Sequence, residues 1–155
     1  MDRVQMNNGA VTAVIPEGFS ALTEAQIREL GGRPADTSLA FRDEDRHILL
    51  ELMWRKLPLL GRMVPLQKHL EATAAQYRDR IPTYRDQQLL RLTVAGQEAA
   101  AFRYAYTAKD IEQTAEYALL LHGGVCYAFS VIGRGENETE TLAALDAVLR
   151  SVTIG

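Results

Sequence analysis

His47 and Glu51 stand four residues apart in "HILLELMW". Strand alternation puts both on one face, where an imidazole and a carboxylate could share acid and base work. No other pair in the chain suits that chemistry as well. "HGGV" at His122 resembles an esterase oxyanion loop, but that reaction needs a serine on a G-x-S-x-G elbow, and no such pentapeptide is present. A hairpin explains Gly123-Gly124 between two alternating strands. The three histidines, His47, His69 and His122, fall in different elements and at no ligand spacing from one another or from cysteine, so no metal site is implied. Asp43-Glu44-Asp45 could attract a cation, yet Arg42 and Arg46 flank it and calcium-loop spacing is missing, which favours a solvated hairpin tip. Cys126 alternates with Ala128 and Ser130 and has no base beside it in sequence, so it reads as a small buried residue rather than a nucleophile. Gly133-Arg134-Gly135 is too short for a phosphate loop, and no Lys-Ser/Thr follows it. No cofactor is implied.

The strongest pattern is "AFRYAYTAKD", where Phe102, Tyr104 and Tyr106 occupy every second position. If a tight turn at Ala95-Gly96 or Gly96-Gln97 joins this strand to the preceding one, Leu90, Leu92, Val94, Ala99, Ala101 and Ala105 share one face. Arg91, Thr93, Glu98, Ala100, Phe102, Tyr104 and Tyr106 share the other. That second face has two readings: a half-covered core face with tyrosine hydroxyls reaching water, or a partner-binding patch. Tyrosine and arginine favour the latter because they combine large area with a polar handle.

These residues need a scaffold, and the composition supplies one. A chain of 155 residues with 47% hydrophobic and 24% charged residues can bury a core of its own as a single domain over residues 1–155. The formal charge of −3 and the lack of a basic block argue against nucleic-acid binding. A lone cysteine forbids an internal disulfide and fits a reducing compartment. No apolar run is long enough for a membrane span, and "MDRVQMNNGA" is not patterned as a signal peptide. A cytoplasmic protein is expected, although a leader removed in maturation would leave the same sequence.

Along the chain, alternation on both sides of Asn8-Gly9 predicts a hairpin. "LTEAQIRELGG" predicts a helix over Thr23–Gly31, opened by a Thr23/Gln26 capping box and stopped by Gly31-Gly32. Two strands then flank Asp43–Arg46. Helical spacing runs over Pro65–Ile81, with Pro65 in the first turn and Pro82 as the stop. A four-stranded meander begins near Gln87. A closing helix over Thr139–Val152 is capped by Asn137 with Glu140. The order is ββ-α-ββ-α-ββββ-α, which predicts an α+β fold: an antiparallel β-sheet with helices packed on it.

"VIPEGFSALTEAQIRELG", "FRDEDRHILLELMW", "AAAFRYAYTAKD" and "VCYAFSVIGR" before a short terminal helix resemble the PsbP/Mog superfamily, which includes bacterial DcrB-like proteins. The resemblance covers nearly the whole chain through strand order and patterned phrases. It implies an α/β/α sandwich. It also implies membership among mostly non-enzymatic binding proteins: a photosystem subunit, a Ran-binding import factor, secretion-effector chaperones and lipoproteins. None of their partner-contacting residues carries over by position.

The sequence therefore predicts a non-catalytic binding or adaptor protein, chaperone-like or self-associating. Its partner, a protein or a second copy of the chain, would engage Arg91, Phe102, Tyr104 and Tyr106. The alternative is a small-molecule binder or small enzyme with a cleft between sheet and helix, using His47 and Glu51.

Overall fold

The computed structural model describes residues 2–30 and 37–155. β1 (Asp2–Met6) and β2 (Val11–Ile15) pair antiparallel, Met6 opposite Val11. Their connection takes in Asn7 and Ala10 as well as Asn8-Gly9, because Asn7 also adopts positive φ (52°) and the loop closes through Ala10 N–H to the Asn7 carbonyl. After the short β3 (Ser20–Ala21), the capping box forms as read: Thr23 Oγ1 accepts from the Gln26 N–H at 3.2 Å, and Gln26 Oε1 accepts from the Thr23 N–H at 2.8 Å. The helix it opens, α1 (Glu24–Glu29), buries Ile27. Its expected stop at Gly31-Gly32 lies outside the described residues.

β4 (Ser38–Asp43) and β5 (Ile48–Lys56) follow, then a loop with a 3-10 turn at Gly61–Met63, then α2 (Leu66–Arg80). Pro65 stands at the N-cap in an extended conformation rather than inside the first turn. The meander is β6 (Arg85–Val94), β7 (Gln97–Ala108), β8 (Ile111–His122) and β9 (Val125–Arg134). Ala95-Gly96 makes the tight turn that fixes the β6–β7 register, with φ of 51° and 76° and Val94 opposite Gln97. α3 (Glu138–Ser151) and the short β10 (Thr153–Ile154) close the chain. Asn137 stands at the N-cap of α3 as expected, but its side chain makes no capping bond to the helix. A 3-10 turn over Gly135–Asn137 precedes the helix, and Asn137 Nδ2 donates instead to the Arg46 carbonyl at 3.4 Å.

All strand pairs among the described residues are antiparallel. The main sheet runs β3-β4-β5-β9-β8-β7-β6, and β1-β2-β10 forms a small separate sheet. The first hairpin therefore does not join the main sheet; it lies beside α3 on one face. Ser151 Oγ accepts from the Val14 N–H at 2.8 Å and fastens the hairpin to the end of that helix.

Alternation sorts the main sheet into two cores. Leu50, Leu52, Phe129, Val131, Ala101 and Leu120 face α3 and the first hairpin, together with Leu145 and Val148 of the helix. Phe102, Tyr104, Ala115, Leu119 and Ala128 face α2, together with its Leu70 and Ala74. The result is an α+β fold with helices on both faces of an antiparallel sheet.

α3 reaches the sheet closely at Gly133, where an added Cβ would overlap Thr141. Thr141 Oγ1 is buried there with no hydrogen-bond partner among the described residues. Gly133→Ala should therefore lower the unfolding free energy by about 1–3 kcal/mol in urea titrations. Thr141→Val, which removes a hydroxyl that satisfies nothing, should be neutral or stabilising in the same assay.

Candidate functional site

The aromatic ladder on β7 lies under α2. Tyr77 projects from the helix and meets Phe102, Tyr104 and Tyr117 edge-on, at centroid distances of 5.6, 5.9 and 5.4 Å. Tyr84 stacks on Tyr104 at 4.8 Å, and Tyr104 stacks on Tyr106 at 5.8 Å. Phe102 is 0% exposed and Tyr104 4%. Burial raises the Tyr104 phenol far above its ordinary value, and the neighbouring Tyr77, Tyr106 and Tyr84 and then Glu51 push it further the same way. Burial also raises Tyr106, followed by Glu51 and Tyr77.

The partner patch expected at Arg91, Phe102, Tyr104 and Tyr106 is thus corrected at its centre. Phe102 and Tyr104 are core residues because a helix covers them, and only Arg91 and half-buried Tyr106 reach solvent. Sequence alternation assigned these side chains to one face; it could not say that α2 would take that face.

The acid/base pair is not assembled either. His47 adopts φ 56° in the β4–β5 turn and is exposed, so it leaves the strand before alternation can align it with Glu51. Glu51 is buried on β5, opposite Ala40 on one side and Ser130 on the other. His122 Nδ1 accepts from Gln97 Nε2 at 3.0 Å beside the Gly123-Gly124 turn. Asp43 is committed to the hairpin tip, accepting from the Arg46 backbone N–H at 3.0 Å and from Arg46 Nε at 2.7 Å. Burial raises the Asp43 carboxyl, but the bonds and charge of Arg46 outweigh it and hold the group below its usual range. Arg46 also reaches Glu140 at 3.8 Å and sits 5.6 Å from the Phe19 ring centroid, so the tip serves as a structural joint. No group of three or more His, Cys, Asp and Glu capable of holding a metal occurs among the described residues.

What the sheet does offer is a groove beside α2. One lobe, about 270 Å³, is floored by Met53, Cys126 and Ala128 and bordered by Ser38, while the Trp54 side chain packs with the core on the α3 face. A second, about 360 Å³, runs along the helix past His69, Thr73, Gln76 and Tyr77. Arg55, Tyr117 and Cys126 line both lobes. Arg55 is exposed and makes no ion pair among the described residues. Burial pushes the Cys126 thiol up, partly opposed by the Arg55 charge. His69 Nε2 donates to the Gly61 carbonyl at 2.9 Å, so that edge of the ring is occupied by the loop before α2. The groove draws on β5, β8, β9 and α2, elements distant in sequence. Its one local signal was Arg55, a cation at the end of an apolar strand next to Trp54, the only tryptophan in the chain.

With this architecture in view, the fold is similar to that of PsbP and Mog1 proteins. Cyanobacterial PsbP (CyanoP) from Synechocystis sp. PCC 6803 superposes with a TM-score of 0.68 at 14% identity, covering 99% of this chain and 92% of that one. LpqN, involved in cell envelope biogenesis of Mycobacterium tuberculosis, gives 0.67 at 12%, covering 99% and 89%. The Saccharomyces cerevisiae Ran-binding protein Mog1p gives 0.64 at 12%, covering 99% and 94%. No curated protein sequence matches the chain. Residues 61–153 match the family described as serine/threonine kinase C-terminal domain, and the chain belongs to that family.

Two measurements check these assignments. Tyr104→Ala should cost about 3–5 kcal/mol of unfolding free energy, as for a buried aromatic, whereas Arg91→Ala should stay within about 0.5 kcal/mol. The lowered Asp43 carboxyl contributes stability that is fully present above the unfolded carboxylate value of about 3.9 and is lost as pH falls through its folded value. Asp43→Asn should therefore flatten the acid limb of Tm against pH and leave its neutral-to-alkaline course parallel to wild type.

Proposed function

We propose that the chain is a non-catalytic binding domain whose groove beside α2 takes an elongated amphiphile with an anionic head. The observation that carries this reading is Arg55: an exposed cation without an ion-pair partner among the described residues, placed where an apolar lobe meets a polar one. An apolar tail would lie over Met53 and Ala128, and the head would meet the guanidinium. Together the lobes fall in the range of about 300–1,000 Å³ usual for small-molecule sites.

Several features support binding without chemistry. The Cys126 thiol is held up by burial, which disfavours the thiolate a nucleophile needs. His69 is engaged with a backbone carbonyl, and His47 stands apart in a turn. The likeness to CyanoP, LpqN and Mog1p supports the fold, and the Ran-binding of Mog1p belongs to that protein. The reading keeps the expectation of a binding domain and moves the site from the buried aromatic ladder to the cleft between sheet and helix. It also takes residues 1–155 as one domain, since both cores are built from the same seven-stranded sheet.

Isothermal titration calorimetry with dodecanoate should show saturable binding. Arg55→Ala should weaken the apparent affinity about 10- to 100-fold, the loss expected of a charged hydrogen-bonded contact. A flat titration, or equal affinity in the variant, would sink the proposal.

A further inference from the structure

The loop over residues 57–65, between β5 and α2, carries apolar side chains turned to solvent. Leu59, Leu60 and Met63 are 77%, 78% and 77% exposed, and Val64 is 36% exposed. The other large apolar residues exposed among the described ones, Leu89 and Ile111, stand apart on β6 and at the start of β8.

This tip is braced. Buried Leu57 anchors it, donating its N–H to the Gly124 carbonyl at 2.9 Å. Arg62 Nε donates to the Leu57 carbonyl at 3.3 Å, and the Arg62 N–H donates to the Pro58 carbonyl at 3.1 Å. The guanidinium lies against Gly124, where an added Cβ would stand 2.7 Å from it. The 2.9 Å bond from His69 to the Gly61 carbonyl ties the turn to α2. These contacts hold the leucines and Met63 outward instead of letting them fold back onto the core.

Charge is segregated here too. From Leu52 to Leu70 the chain holds Arg55, Lys56, Arg62 and Lys68 and no acidic residue, against a whole-chain charge of −3. Lys68 makes an exposed contact with Glu71 at 3.5 Å. Lys56 and Arg62 make no ion pair among the described residues.

We propose that this loop docks the protein on an anionic lipid bilayer. Leu59, Leu60 and Met63 enter the headgroup boundary, and Lys56, Arg62 and Lys68 meet lipid phosphates. A few side chains on one tight turn offer far less than the roughly 800 Å² per partner of a stable protein interface. Peripheral membrane attachment needs only shallow apolar burial combined with a local excess of cations. The loop adjoins the groove through His69, so docking would bring the groove mouth near a lipid surface. The proposal stands independently of what the groove binds, because vesicle attachment and the dodecanoate titration are read separately.

The test is flotation of the full chain with phosphatidylcholine vesicles, with and without phosphatidylglycerol. Binding should require phosphatidylglycerol and fall with added salt. Leu60→Ser with Met63→Ser should lower partition about 10- to 100-fold, and Lys56→Glu by about fivefold or more. Leu89→Ser, at an exposed apolar site on β6, should leave it unchanged. No flotation of the wild type, equal flotation on neutral vesicles, or equal effects at Leu60/Met63 and at Leu89 would overturn the proposal. A dimer in sedimentation velocity that Leu60→Ser/Met63→Ser abolishes, without vesicle binding, would assign the loop to contact between copies and would overturn it as well.

Discussion

A sheet buried on both faces must be covered on both faces, and here the two coverings differ in width. Seven strands at the usual spacing span about 29 Å, whereas one helix with its side chains is about 10–12 Å across. On one face α3 works together with the first hairpin, and the core there extends from Phe41 to Val94. On the other, α2 packs on β7 and β8. The strip over β5 and β9 beside it becomes the groove. The cleft follows from using one helix where two coverings would be needed.

That economy explains the tyrosines. Leu66, Leu70, Ala74, Tyr77 and Ile81 give the helix side a slender apolar seam, and bulky rings below it complete the contact. Tyr77 wedges against three rings at once, a T-shaped arrangement that sets the positive ring edge against negative ring faces. Tyr104 and Tyr106 stand near buried Glu51, and burial together with that carboxylate opposes their ionisation, so both phenols stay neutral across physiological pH. The cluster acts as packing with hydroxyls, and its rigidity defines one wall of the groove.

Much of the architecture was legible in the sequence because it depends on local physics. Strand alternation and the Ala95-Gly96 turn determine the β6–β7 register, so the division of side chains between faces followed from spacing alone. The Thr23/Gln26 box marked a helix start through two hydrogen bonds spanning three residues. Local signals misled where a distant contact competed for the same group. Asn137, at the N-cap of α3, turned its side chain to the Arg46 carbonyl instead of the helix N–H groups, and His47 took a turn conformation instead of extending β5.

The sequence by itself determined the antiparallel α+β order and which residues share a face, because side-chain period and turn chemistry are properties of neighbouring residues. Only the tertiary structure decided which face each helix covers. It thereby turned Phe102 and Tyr104 from candidate surface into core, gathered Arg55, His69, Tyr117 and Cys126 along one cleft, and held Leu59, Leu60 and Met63 in solvent. Those outcomes rest on packing between elements tens of residues apart, where the free energy depends on shape and area that no short window of sequence contains.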